Sequence, residues 1–160
     1  MNQERGQSLI EILIATAVFV ITVSALSLFI LNTYVSGRFA QEITTANYLA
    51  QEGLEAARSI RDNNWSNFTI GEHGLAISGN NWVFQGNKED VSNQLRGGER
   101  KIIIEDMGLD RKKVTAKVTW FFSEARPQEV QLVTHFTNWA KLTPYLAQLH
   151  YRWRNDDGGE

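Results

Sequence analysis

From residue 12 to residue 37 the chain carries no charged side chain, and this run constrains the fold more than any other feature. Wound as helix at about 1.5 Å per residue it reaches roughly 39 Å, enough to cross a hydrocarbon layer of about 30 Å. Its hydroxyls at Thr16, Thr22, Ser24 and Ser27 can return to carbonyls one turn back, so they are compatible with lipid. No proline interrupts the run. A membrane-spanning helix near the N-terminus is expected, with more polar sequence after it.

The acid at the mouth of this run separates three readings. As a secretory signal, Val23-Ser24-Ala25 would be the cleavage site, yet Glu4 offsets Arg5 and Glu11 adds negative charge where a signal is basic. As an ordinary single-pass anchor, the weak basic flank specifies orientation poorly and Glu11 has no role. In the third reading Glu11 is functional, because a carboxylate at the edge of hydrocarbon is costly unless paired. Cleavage after Gly6 would create a cationic α-amino group at Gln7, one turn from Glu11. The same amine of a neighbouring subunit could pair with that acid.

Gly6 followed by Gln7-Ser8-Leu9-Ile10-Glu11, behind a short polar leader and ahead of an unbroken apolar helix, resembles the N-terminal signature of the type IV pilins and pseudopilins. The resemblance covers about the first 35 residues. It implies that prepilin peptidase removes residues 1–6 on the cytoplasmic side, with Gly6 before the cut, Gln7 as the first mature residue and Glu11 as the fifth, the acid that aids subunit docking. Two departures stand out. Family members usually begin the mature chain with phenylalanine or methionine rather than Gln7, which leaves N-methylation open. The proline that kinks many such helices is also missing, so a straighter helix is expected.

After Gly37 the pattern becomes one-sided. Phe39, Ile43, Ala46, Ala50, Gly53, Ala57 and Ile60 recur at intervals of four and three, which marks one face of a helix. One helix is therefore expected over residues 8–61, ended by Asp62-Asn63-Asn64. A two-stranded coiled coil would use larger residues along that stripe. Ala46, Ala50, Gly53 and Ala57 argue instead for close approach to a sheet.

The sheet is legible downstream. Residues 101–105 hold the β-branched run Ile102-Ile103-Ile104. Val114, Ala116, Val118 and Trp120 alternate with polar partners, as do Val130, Leu132, Thr134 and Phe136. Glu124-Ala125-Arg126-Pro127 suits a hairpin between the last two strands, and Trp82-Val83-Phe84 reads as a further short strand. The rest of residues 65–100 is glycine-rich and reads as loop. Thr143-Pro144 predicts a short closing helix bearing Leu142, Tyr145, Leu146, Leu149 and Trp153, and residues 155–160 read as a frayed tail.

Candidate chemistry is thin. His73, His135 and His150 stand far apart with no metal-ligand spacing, and His135 falls on the solvent side of its strand. No nucleophile-elbow pattern frames a serine. Asn155-Asp156-Asp157-Gly158-Gly159-Glu160 lacks the spacing of a calcium loop. A formal net charge of −2 provides no global positive field for nucleic acid. Arg96, Arg100 and Lys101, and Arg111-Lys112-Lys113, read as solvated strand edges without the interleaved aromatics of a nucleic-acid groove. With no cysteine, disulfides and thiolate sites are excluded. Trp120 and Trp139 read as core or rim, whereas Trp65 and Trp82 read as loop residues open to solvent.

The expected class is α+β and pilin-like, a long N-terminal α-helix, transmembrane in its first half, packed on a small antiparallel β-sheet. The expected divisions are a leader (1–6), a membrane and filament-core half of the helix (7–37), an amphipathic half (38–62) and a globular head (63–160). The expected function is a non-enzymatic filament subunit, a minor pilin or pseudopilin, without cofactor or metal. Its expected partners are prepilin peptidase, other pilin subunits, an inner-membrane assembly platform and membrane lipid before assembly. It would sit in a prokaryotic cytoplasmic membrane with its head outside, then join a surface or periplasmic filament. The alternatives are a type II secretion pseudopilin, or a single-pass surface binding protein using Trp65, Trp82 and the glycine-rich loops. A membrane-tethered enzyme is the third.

Overall fold

Helix α1 (Glu4–Asn63) begins ahead of the Gly6–Gln7 bond, so Gly6 and Gln7 are both helical. It ends where the asparagines offer the backbone other partners. The Asn64 amide makes the last intrahelical bond, to the Ile60 carbonyl (3.1 Å). Asn64 itself is extended (φ −162°, ψ 115°), and its Oδ1 accepts from the Ser66 amide to start a 3-10 turn, Trp65–Asn67. The structure is a computed structural model that describes residues 4–108 and 110–139. The expected closing helix around Thr143-Pro144, the tail at 155–160 and His150 lie outside the described residues. The chain divides into two compact units between Glu42 and Ile43.

In the second unit, residues 43–63 of α1 lie on an antiparallel sheet. Its strands are β1 (Gly71–His73), β2 (Leu75–Ser78), β3 (Asn81–Phe84), β4 (Glu89–Asp90), β5 (Glu99–Asp106), β6 (Arg111–Ser123) and β7 (Arg126–Thr137). The main sheet runs β1-β5-β6-β7 with β4 also paired to β5, while β2 and β3 form a separate two-stranded ribbon. The expected strands at 101–105, 114–120 and 130–136 are thus β5, β6 and β7. Register is fixed by pairs such as Ile102↔Ala116 and Ala116↔Leu132. The β6–β7 turn is Glu124-Ala125, tighter than the four residues expected. Arg126 and Pro127 belong to β7, opposite Ser123 and Phe121 across a bulge. The region 65–100, read as mostly loop, holds four short strands. Their two to four residues are too few for alternation to register in the sequence.

The core lies between helix and sheet. Ala46, Leu49, Ala50, Ala56, Ala57 and Ile60 are buried against Ile102, Ile104, Val114, Ala116, Val118, Trp120 and Phe136. Alternation along β6 puts Val114, Ala116, Val118 and Trp120 inward, as expected. The helix stripe is wider than the sequence spacing suggested, since Leu49 and Ala56 join it. Gly53 is the point of closest approach. A Cβ there would sit 3.0 Å from Ile102 Cδ1, 3.3 Å from Arg100 Cδ and 3.6 Å from Ala116 Cβ.

That geometry yields a graded prediction. Gly53→Ala gains up to about 1 kcal/mol of helix propensity but meets Ile102, so thermal unfolding should change little. Gly53→Leu cannot be housed and should destabilise by about 3 kcal/mol. Equal melting of the leucine variant and the parent would refute the close contact.

Candidate assembly helix

Among its described residues the first unit holds no buried face. From Leu9 to Val35 the large apolar side chains are all exposed, with Ile21 at 69% and Phe29 at 70%, whereas Ala50 in the second unit is at 0%. Burying a side chain of this size contributes about 1.5–3 kcal/mol, and exposed apolar patches so extensive mark a surface that lipid or protein covers. The segment is long and apolar enough to cross a membrane, and the helix satisfies its own backbone there.

Five of its hydroxyls are turned back onto the helix. Thr16 Oγ1 donates to the Ile12 carbonyl (2.9 Å), Thr22 to Val18 (2.8 Å), Ser24 to Val20 (2.7 Å), Ser27 to Val23 (2.8 Å) and Thr33 to Phe29 (2.9 Å). This is the back-bonding expected from the sequence, with Thr33 added. Glu11 is the one carboxylate of the segment; like Asn32, Tyr34 and Ser36 it is exposed, and among the described residues no ion pair or hydrogen bond engages it. Among the described residues the nearest ion pair along the helix joins Arg38 and Glu42 (3.5 Å) at an i,i+4 spacing.

In the second unit the other candidates separate. His135 is exposed on β7, as expected, and His73 stacks on Phe84 with ring centroids 4.6 Å apart. Among the described residues no three His, Cys, Asp or Glu side chains converge as a metal site. Trp65 and Trp82 are half-buried and pack on the core rather than standing open to solvent. Lys112 accounts for part of this: its ammonium lies 4.9 Å from the Trp65 ring centroid and donates to the Phe68 carbonyl. Trp120 is core. Trp139 lies just beyond β7 at 52% exposure, and its indole N–H donates to Asp62 Oδ1 (3.3 Å).

Most residues of the basic clusters are engaged by pairing, Arg111 being exposed without a side-chain partner among the described residues. Arg96 bridges Glu124 (3.1 Å), Lys101 bridges Glu72 (3.0 Å) and Lys113 bridges Glu105 (2.8 Å). Arg100 differs from all of them, being 1% exposed. Its Nη1 donates to the Leu49 carbonyl (2.9 Å) and to Glu52 Oε2 (2.6 Å), while Nε and Nη2 grip both oxygens of Glu89 (2.8 and 2.9 Å). One guanidinium thus ties the helix to β4 and β5. Sequence reasoning grouped Arg100 with solvated edge residues. The one signal against that was its place one residue before the Lys101 strand, on the same alternating face as Ile102.

Three carboxylates of this unit are held below their ordinary values of 3.8 and 4.5. Partial desolvation pushes Asp62 up, but hydrogen bonds from Arg61 and Trp139 carry it down. Bonds from the Ser92 side chain and amide lower Asp90, and Lys117 with Gln131 lowers Glu129. A depressed native value means that the unfolded chain binds these protons first, so the stabilisation is present above the ordinary values and lost as pH falls through the native ones. The unit's melting temperature should therefore be insensitive to carboxylate titration at neutral pH and fall below about pH 4.5. A melting temperature that rises on acidification through that window would contradict these pairings.

A family model described as the prokaryotic N-terminal methylation motif matches residues 1–27, the signature of type IV pilins and prepilins. No curated protein and no solved structure matches the chain significantly. Motif, apolar helix and antiparallel sheet together resemble the layout of the type IV pilins, a family of structural subunits.

Proposed function

We propose that the chain is a minor pilin or pseudopilin, a subunit of a type IV pilus-like filament. Prepilin peptidase cuts it after Gly6, leaving Gln7 as the first mature residue and Glu11 as the fifth. The mature helix is stored in the cytoplasmic membrane with the head outside, then leaves lipid for a bundle of like helices. In that bundle Glu11 neutralises the terminal amine of a neighbouring subunit. Other pilins and an inner-membrane assembly platform are the partners this route requires.

The observation that carries the reading is the pairing of an all-round apolar, self-satisfied helix with one unengaged acid at its entrance, inside the segment that matches the methylation motif. A carboxylate there needs a cation, and a processed N-terminus supplies one at the right depth. Because Glu11 is present, the subunit can sit beneath a neighbour, which opposes a role confined to the filament tip.

The test is the N-terminal residue of the protein extracted from native membranes, read by intact mass and terminal peptide. A start at Gln7, methylated or not, is the expected result. An intact Met1, or a start near Ser27, would discard the reading and favour the single-pass binding protein or a cleaved signal respectively.

A further inference from the structure

We propose that the second unit binds a neutral oligosaccharide in the cleft between the end of α1, the 3-10 turn and β3. The cleft measures 710 Å³, within the range of small-ligand sites. Its described lining contains no Asp, Glu, Lys or Arg, in a unit whose surface is otherwise crossed by ion pairs. An anion entering would find no counter-charge and would face the carbonyl end of α1, where the helix dipole is negative. A cation would find no carboxylate.

What the lining offers instead is carboxamide and aromatic surface. Asn63, Asn67 and Asn81 line the cleft, and their side chains engage no described residue. Each presents a donor and an acceptor side by side, the complement of adjacent sugar hydroxyls, which also donate and accept. Trp82, half-buried against the core, supplies a rigid aromatic wall that suits the C–H face of a pyranose. His73 is fixed as part of the floor, stacked on Phe84, with its Nε2 2.9 Å from the Thr69 carbonyl. Amide groups around a fixed aromatic recognise polyhydroxylated, uncharged rings. The site is independent of whether the helix assembles into a filament.

The experiment uses the full chain, isotope-labelled, in an amine-oxide detergent so that no sugar headgroup competes. Maltotetraose, cellotetraose and fully N-acetylated chitotetraose are titrated separately, with adenosine and a sulfated oligosaccharide as comparisons. The expected result is saturable movement of the Trp82 indole N–H and the Asn67 and Asn81 side-chain amides with at least one neutral tetrasaccharide. Asn67→Ala and Asn81→Ala, both exposed and outside the core, should each weaken that binding by about tenfold with unchanged melting. Trp82→Phe should weaken it while keeping the packing. Absence of saturable movement with all three sugars, equal affinity in the asparagine variants, or preference for the nucleoside or the sulfated sugar would overturn the proposal.

Discussion

Replacing Glu11 with alanine is expected to leave membrane insertion unchanged and to reduce filament incorporation by at least about 100-fold. The asymmetry follows from where the cost falls. In the single subunit Glu11 is exposed at the helix entrance and engages no described residue, so its removal takes nothing from the folded chain. In the proposed filament a neighbour's terminal amine would lose its counter-charge among apolar helices, and an unpaired buried charge costs about 3–5 kcal/mol. Glu11→Gln keeps the shape but not the charge and should behave like alanine. The measurement is the ratio of subunit in sheared filaments to subunit in membranes. Wild-type incorporation of both variants would remove Glu11 from the assembly mechanism and return the helix to the role of a plain anchor.

The second large effect is expected at Arg100. Arg100→Ala strips the Leu49 carbonyl, Glu52 and Glu89 of their shared donor at once. Removing one partner of a buried ion network costs about 3–5 kcal/mol, and the lower end applies because the Glu52 side chain is 51% exposed and can rehydrate. For a unit of this size that corresponds to a fall in melting temperature of roughly 10 °C or more. Arg100→Lys should recover only part of it, since a single ammonium cannot reproduce a fork that meets Glu89 with two nitrogens. A melting temperature unchanged in Arg100→Ala would mean that the helix is held to the sheet by apolar packing alone. Glu11 and Arg100 thus have separable signatures, one in assembly with normal melting and one in melting.

The long helix and three principal strands are legible because their periodicities persist. Ile43 to Ile60 repeat through five turns, and Val114 to Trp120 alternate over seven residues. Ala46, Ala50 and Gly53 also announce a close surface, because nothing else explains small residues on the buried face of a helix. Glu11 is legible as an anomaly, an acid where hydrocarbon begins. The shorter strands β1, β2 and β4 escape for want of length, and the half-burial of Trp65 and Trp82 escapes because it depends on which strand lies behind them. Arg100 is hidden for a related reason. Its partners stand 48 and 11 residues away, and no local pattern encodes a contact across that separation. An arginine on a strand's inward face is the residue-level hint, but its carboxylates can be identified only once β4 and the helix are both in place.

The hydroxyls of the first unit carry a consequence for precision. Thr16, Thr22, Ser24, Ser27 and Thr33 each spend their proton on their own helix, so the surface they would show a neighbour has shape but almost no directional bonding. Hydrocarbon contacts of that kind are nearly degenerate in sliding and rotation, as a smooth shaft is in a bearing. Whatever fixes the axial position of one such helix against the next must therefore be sparse, and in the proposed filament the single charge of Glu11 would act as a detent. A filament built this way would be indexed at one point per subunit and compliant everywhere else along the shaft.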